Sequence, residues 1–423
     1  AALPKQIKSE WCGAKPEASA HDKKACWDIK EKNLPFASQS WREKAGYCAQ
    51  QMLLRSGLLT AKWLENPYAL HVARLVLMLA DHHYSSQPTN RKWGDKDFAA
   101  YANTDKAGAL KQPLDNHLLG VEDHARRIMG NLPRLTRDLP RLARHKGFRR
   151  RAKDERFRWQ DKAFDTAEAL QQRSQQQGFF GVNMASTGCG KTLANGRIMY
   201  ALSHPQLGAR FCIALGLRTL TLQTGQAYRQ HLGLGDDDLA VLVGSAAVRE
   251  LFEHQQNHQD HSISTHRTPQ QQGSESAEAL IPDNSHVAYE GSLPEGSLRE
   301  WLGNNPAAYK LLAAPVLTCT IDHLIPASES TRGGRQIAPM LRLMTSDLVL
   351  DEPDDFDLDD LPALTRLVHW AGMLGSRVLL SSATLPPALV QGLFQAYQQG
   401  RVIYQQNWGV ASRCCVSKLP MRQ

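Results

Sequence analysis

Residues 185–192 read Ala-Ser-Thr-Gly-Cys-Gly-Lys-Thr. Glycines at 188 and 190 let the backbone N–H groups of a tight turn close on phosphate oxygens. Lys191 can reach the outer phosphates, and Thr192 can ligate magnesium. Ser186, Thr187, Gly188, Cys189, Gly190, Lys191 and Thr192 therefore form a candidate phosphate-binding loop. Further along, an apolar run ends in Asp351-Glu352-Pro353-Asp354. An acidic cluster alone is usually a solvated loop. One that follows a buried strand beside a phosphate loop can hold magnesium through water, here by Asp351, and deprotonate an attacking water, here by Glu352. Ser382-Ala383-Thr384 closes a third apolar run.

These residues need strand-to-helix turns to hold them. FFGVNM precedes the glycine loop and LANGRIMYAL, which reads as a helix, follows it. FCIALG, LAVLVG, APVLTC, SDLVLDE and RVLLSS are further short apolar runs separated by helix-length stretches, the pattern of a mostly parallel sheet covered on both faces. Ahead of them, Trp41 to Ser86 carries apolar residues at helical spacing, a polar loop follows around RKWGDKDFAAYANTDKAG, and another helix begins near Leu114. From Pro133 to Arg158 basic residues dominate. Arg134, Arg137, Arg141 and Arg144 fall three or four apart, as on one helical face, which is either a solvated face or a phosphate-contacting surface. The predicted class is α + α/β, with a helical region at 1–132, a basic linker at 133–158, a phosphate-loop domain at 159–405 and a tail at 406–423 without strand or helix period. Within the domain, residues 250–279 form a polar surface insertion whose histidines, at 254, 258, 261 and 266, read as part of a solvated linker.

A chain of 423 residues that is 42% apolar can build more than one core. The formal charge of +8 suits a polyanionic partner without requiring one. No run of about 20 apolar residues exists and the opening lacks the design of a signal peptide, so a cytoplasmic protein without a membrane partner is expected. Eight scattered cysteines with no C-x-x-C pair argue against a zinc ribbon or a disulfide framework.

The loop, DEPD and SAT, in that order and each after an apolar run, resemble motifs I, II and III of superfamily 2 helicases. That family commonly has alanine where the general loop has its first glycine, as at Ala185, and its second domain is RecA-like, as is its first. The resemblance implies ATP and magnesium as cofactors and a coupling role for Ser382, Ala383 and Thr384. Leu217 to Leu220 with Gln223 looks like motif Ia, and Thr318 to Asp322 like motif Ib. In the family these loops grip the sugar-phosphate backbone, which implies nucleic-acid contacts for Arg218, Thr219, Gln223, Thr318 and Asp322; the competing reading is ordinary strand-to-helix turns. Gln160 in RFRWQDKA stands about where the family's adenine-reading glutamine stands, against a plain surface Gln.

With its helical region, the chain resembles the type I-F CRISPR-associated helicase-nuclease over roughly residues 40 to 405, an HD nuclease fused to two RecA-like domains. The added likeness lies in SAT-L-P-P and in Leu79-Ala80-Asp81-His82-His83-Tyr84-Ser85-Ser86. By that match Asp81 would ligate a divalent, transition-type metal of the nuclease, although it could equally cap or border a core helix. The family's earlier histidine ligands have no good counterpart, since His21-Asp22 lies on no apolar helical stripe. Single-stranded DNA, an RNA-guided surveillance complex and adaptation proteins are the partners implied. Only 39 residues (423 minus 384) follow Thr384, against roughly 150 for a second RecA-like domain, so a fragment lacking that domain, and weakly active or inactive alone, is expected. Two other readings compete: an ordinary superfamily 2 helicase with an unrelated helical extension, and a non-catalytic nucleotide-binding interaction fragment.

Overall fold

The computed structural model describes residues 19, 21, 31–55, 57, 65–105, 107–216, 218–244, 280, 281, 285–289, 291, 295–303, 305–328, 333–409 and 415–418. The polar insertion at 250–279 and its histidines lie outside them. The chain forms two compact units, residues 1–61 with 84–124, and residues 62–83 with 125–423. This division replaces the expected boundary after residue 132.

In the first unit, α1 (Gln39–Leu54) begins where the Ser38 side chain accepts a hydrogen bond from the Trp41 N–H. The Asp95 carboxylate adds acceptors for the Gln39 and Ser40 N–H groups at 2.7 and 3.2 Å, so the orphan donors of the first turn are satisfied. The helices α2 (Pro67–Ser86) and α3 (Leu114–Asp138) each run through the division between the units. The stretch expected to be a polar loop contains a strand, β1 (Tyr101–Thr104), paired antiparallel with β2 (Leu110–Pro113). Its inward groups are polar, a buried Asn103 donating to Gln112 at 2.8 Å, which is why hydropathy does not reveal it.

The second unit adds α4 (Lys146–Arg149), α5 (Arg158–Ala169), α6 (Gln171–Gln177), β3 (Phe179–Asn183), α7 (Lys191–Ala201), β4 (Phe211–Leu215), α8 (Arg218–Ala227) and β5 (Leu239–Gly244). There follow β6 (Ser285–Ala288), α9 (Ser297–Leu302), α10 (Pro306–Ala313), β7 (Val316–Thr320), α11 (Gly333–Thr345), β8 (Asp347–Asp351), α12 (Leu361–Leu374), β9 (Val378–Ser381), α13 (Pro387–Trp408) and β10 (Cys415–Lys418). The sheet order is β10-β3-β9-β8-β4-β7-β5-β6, parallel throughout except for the β5–β6 pair. All six apolar runs singled out in the sequence are strands of it, and the α + α/β class holds.

Two expectations need correction. The segment expected to be a basic linker packs into the domain: Leu142 pairs with Ala209 across an isolated bridge, and Phe148 is fully buried among Tyr200, Phe211 and the surrounding core. Apolar residues interleaved with the arginines drive this burial. Because α3 ends at Asp138, the four arginines share no helical face; Arg141 donates to the Thr136 and Gly208 carbonyls and Arg144 has a φ of 56°. The expected irregular tail contains the last turn of α13, to Trp408, and β10, which pairs parallel with β3. A lone edge strand of four residues offers too few side chains to show a period.

Helix α2 meets α12 through the His71 ring, whose centroid is 3.9 Å from that of Trp370. His71 is 6% exposed, and burial, with Arg74 nearby, pushes its pKa from 6.5 down to about 3. Within that window the unfolded chain binds a proton at His71 that the folded chain does not, so stability falls as pH falls; above 6.5 the ring is neutral in both states. His71→Phe keeps a ring against Trp370 and removes the titration. Its urea unfolding midpoint is expected to drop less than the wild type's between about pH 7 and about pH 5.

Candidate ATP site

β3, β9 and β8 are neighbours in the sheet, and the phosphate loop, SAT and DEPD follow their carboxyl ends. Parallel pairing thus brings segments about 160 to 190 residues apart to one edge, the edge at which open α/β sheets bind ligands. At the loop, Gly188 and Gly190 both have a φ of 78°, which side-chain-bearing residues rarely adopt. A Cβ on Gly190 would also lie 2.5 Å from the Gln160 Nε2. Gly190 caps α7, so the loop's N–H groups and the positive end of a helix of 11 residues share one place.

Lys191 is 8% exposed, and its Nζ donates to the Glu352 Oε1 at 2.5 Å. Glu352 has φ 53° and ψ 55°, left-handed backbone that costs a non-glycine residue about 1–2 kcal/mol. Its N–H donates to the Ser381 carbonyl at 2.7 Å, holding the turn in place. Asp351 is 7% exposed at the end of β8. Burial raises its pKa, opposed by hydrogen bonds from Ser381 and Asn195 and by the Lys191 charge. The Thr192 hydroxyl and the Asp351 and Glu352 carboxylates are hard oxygen donors suited to magnesium, and a buried carboxylate whose pKa is raised is one that a cation would favour.

Thr384, exposed, donates to the Asp354 Oδ2, and its own N–H donates to the Ser382 Oγ at 3.2 Å. SAT is thereby tied to DEPD by side chains. Burial raises the Asp354 pKa, but the bonds from Thr384 and Ser382, a backbone hydrogen bond and the Lys191 charge together lower it further, so its carboxylate lies below the usual range. Ala383 is half-buried between them.

Gln160 is buried against the loop and is not the plain surface Gln of the competing reading. It is 5% exposed, its Nε2 donates to the Gly190 and Cys189 carbonyls at 3.2 and 3.4 Å, and its Oε1 accepts from Arg197 at 3.3 Å. The Trp159 indole N–H also donates to Cys189, at 3.1 Å. Both residues brace the loop from behind. Thr318 is fully buried in β7, where a strand-centre side chain cannot meet a nucleic acid; motif spacing does not say which face a strand residue takes. Asp322 is exposed past β7, and Gln223 is exposed on α8. Arg218 and Thr219 begin α8, and their side chains lie outside those described. Among the described residues, no group of three potential metal ligands includes Asp81, which is half-buried in α2. A cavity of about 660 Å³ lies at the opposite edge of the sheet beside Arg210, Asp347 and Arg377, away from this site.

No family model matches the chain. It is 63% identical, over 98% of its length, to the CRISPR-associated nuclease/helicase Cas3 subtype I-F/YPEST of Pseudomonas aeruginosa, of which it covers 38%. Against the protein of the same description from Pectobacterium atrosepticum it is 53% identical over 93% of its length, covering 36%. The chain thus resembles the type I-F nuclease/helicase along nearly its whole length while spanning little more than a third of these relatives. Among solved structures, T. fusca Cas3-ATP matches 67% of the chain and 27% of its own at 20% identity, with a TM-score of 0.42.

Cys189 is a half-exposed free thiol on the loop. A nucleotide held by the neighbouring N–H groups would cover it. Saturating MgATP is expected to slow its alkylation at least severalfold, as read by mass spectrometry of the labelled peptide. Equal labelling with and without nucleotide would count against the loop as the phosphate site.

Proposed function

We propose that this chain is the nucleotide-binding motor portion of an ATP-dependent DNA helicase or translocase, joined in the longer protein to a metal-dependent nuclease for single-stranded DNA and acting in CRISPR defence. The observation that carries the reading is the convergence of Lys191 and Glu352, 2.5 Å apart, at the carboxyl edge of β3 and β8. The relatives are CRISPR-associated nuclease/helicases, which supports the nuclease and the CRISPR role; the partners proposed with them are an RNA-guided surveillance complex and adaptation proteins.

The loop N–H groups and Lys191 bind and orient the ATP phosphates, with Lys191 leaving Glu352 for them. Thr192 and Asp351 would hold magnesium, which when bound offsets charge on the phosphate oxygens. Glu352, released from Lys191, accepts a proton from the attacking water at its carboxylate. Thr384 on Asp354 carries a change at the nucleotide into SAT. Gln223 on α8, Asp322 past β7, and the Arg218–Thr219 start of α8 would contact single-stranded DNA, with Thr318 withdrawn from that set.

Two substitutions separate binding from chemistry. Lys191→Ala is expected to remove most ATP affinity in calorimetry. Glu352→Gln is expected to lower ATP turnover by about 10² to 10⁴ with affinity kept or increased, because Lys191 then faces no competing carboxylate. DNA-stimulated turnover that survives Glu352→Gln would remove Glu352 from the role of base.

A further inference from the structure

Asn183, Ser381 and Asp351 stand side by side in the sheet. Register pairs Asn183 of β3 with Ser381 of β9, and Ser381 with Asp351 of β8. Residues directly opposite one another on adjacent strands point to the same face, so three polar side chains form one row under α7. Each is buried, at 2%, 0% and 7% exposure, where an unmatched polar group is costly.

What completes the row is Asn195, 1% exposed. It lies one helical turn beyond Lys191, on the same face of α7. Its Nδ2 donates to the Ser381 Oγ at 2.8 Å and to the Asp351 Oδ1 at 3.3 Å, while its Oδ1 accepts from the Asn183 Nδ2 at 2.8 Å. Asn183 in turn accepts at Oδ1 from the Ala185 N–H, at 3.3 Å, where the loop begins. One amide thus touches the strands before the loop, before SAT and before DEPD, and it sits on the helix that the loop caps. Both ends of the amide are engaged with opposite polarity, which fixes its rotamer as well as its position.

We propose that Asn195 is a positioning residue that holds the Asp351 carboxylate in the orientation from which it serves magnesium at the nucleotide, an inference that rests on the ATP-site reading above. Asn195 faces the sheet and not the phosphates, so its part is played through Asp351. Losing it removes one of the two side-chain hydrogen bonds on the carboxylate and releases the Ser381 hydroxyl that makes the other, which loosens the carboxylate and weakens the metal-dependent part of nucleotide binding, leaving the contribution of the loop and Lys191 in place.

The test is calorimetric titration of ATP into the 423-residue chain, with magnesium and with EDTA, for the wild type and Asn195→Ala, each checked by its melting temperature. Expected is a loss of about tenfold in the magnesium-dependent gain in affinity, the lower end for a group that orients a metal ligand, with the affinity in EDTA changed by less than about twofold. If Asn195→Ala does not fold, Asn195→Leu, close in volume and unable to hydrogen-bond, takes its place. A wild-type gain that survives intact in the variant overturns the proposal alone. A wild type that binds no MgATP overturns the ATP-site reading and this proposal with it. Equal losses in magnesium and in EDTA overturn the proposal in favour of a general packing role.

Discussion

The parallel pairing of β3, β9 and β8 is the constraint on which the site depends. Each strand is nearly featureless, a short run of Val, Leu, Phe and Gly buried on both faces, and the chemistry begins where the run stops. Because the three run in one direction and end in one row, the phosphate loop, the carboxylates and SAT emerge at one edge with no long-range contact needed to choose them. An antiparallel β9 would send SAT to the opposite edge. Burial of the strands drives the assembly, and hydrogen bonding along the ladder sets the register that aligns Asn183, Ser381 and Asp351.

The opposite edge carries a different load. Arg210 and Arg342 are almost wholly buried, and their partners are main-chain carbonyls. Arg210 donates to the Pro140, Leu312 and Ala314 carbonyls, and Arg342 to those of Leu311, Ala314, Phe211 and Pro315. The Leu311, Leu312 and Ala314 carbonyls belong to the last turn of α10 and its cap, where a helix leaves carbonyls without intrahelical partners and carries its negative end. Burial lowers both guanidinium pKa values, and the helix terminus supplies the compensating partial charge. Asp347 and Arg377 pair bidentately nearby, closing the amino-terminal ends of β8 and β9. The polar groups at this edge hold the scaffold together, and those at the other edge are left for chemistry.

The contrast explains what the sequence makes legible. Lys191, Asp351, Glu352 and the SAT triplet announce themselves because each is a conspicuous residue type directly after an apolar run. The six strands are readable for the same reason. Asn195 is invisible by that logic, being an amide inside a helix with no motif around it; only the register of three strands reveals what it joins. Thr318 misleads because spacing places a residue along an element without saying which way its side chain turns. The stretch 133–158 misleads because its charge density hides Leu142 and Phe148, the two residues that bury it.

Glu352 joins these lines of argument. Left-handed backbone at a glutamate is unfavourable and persists because two contacts determine it at once: its N–H on the Ser381 carbonyl and its carboxylate on Lys191. The first contact belongs to the β9 end of the sheet and is independent of nucleotide; the second is one that phosphate oxygens would compete for. Were Lys191 to turn to the phosphates as proposed, the backbone of Glu352 would remain fixed by Ser381 while its carboxylate lost its cation. A general base needs that combination of a fixed position and an unengaged oxygen. On the proposed reading, the ion pair that stabilises this turn would keep the Glu352 carboxylate engaged until a nucleotide arrives.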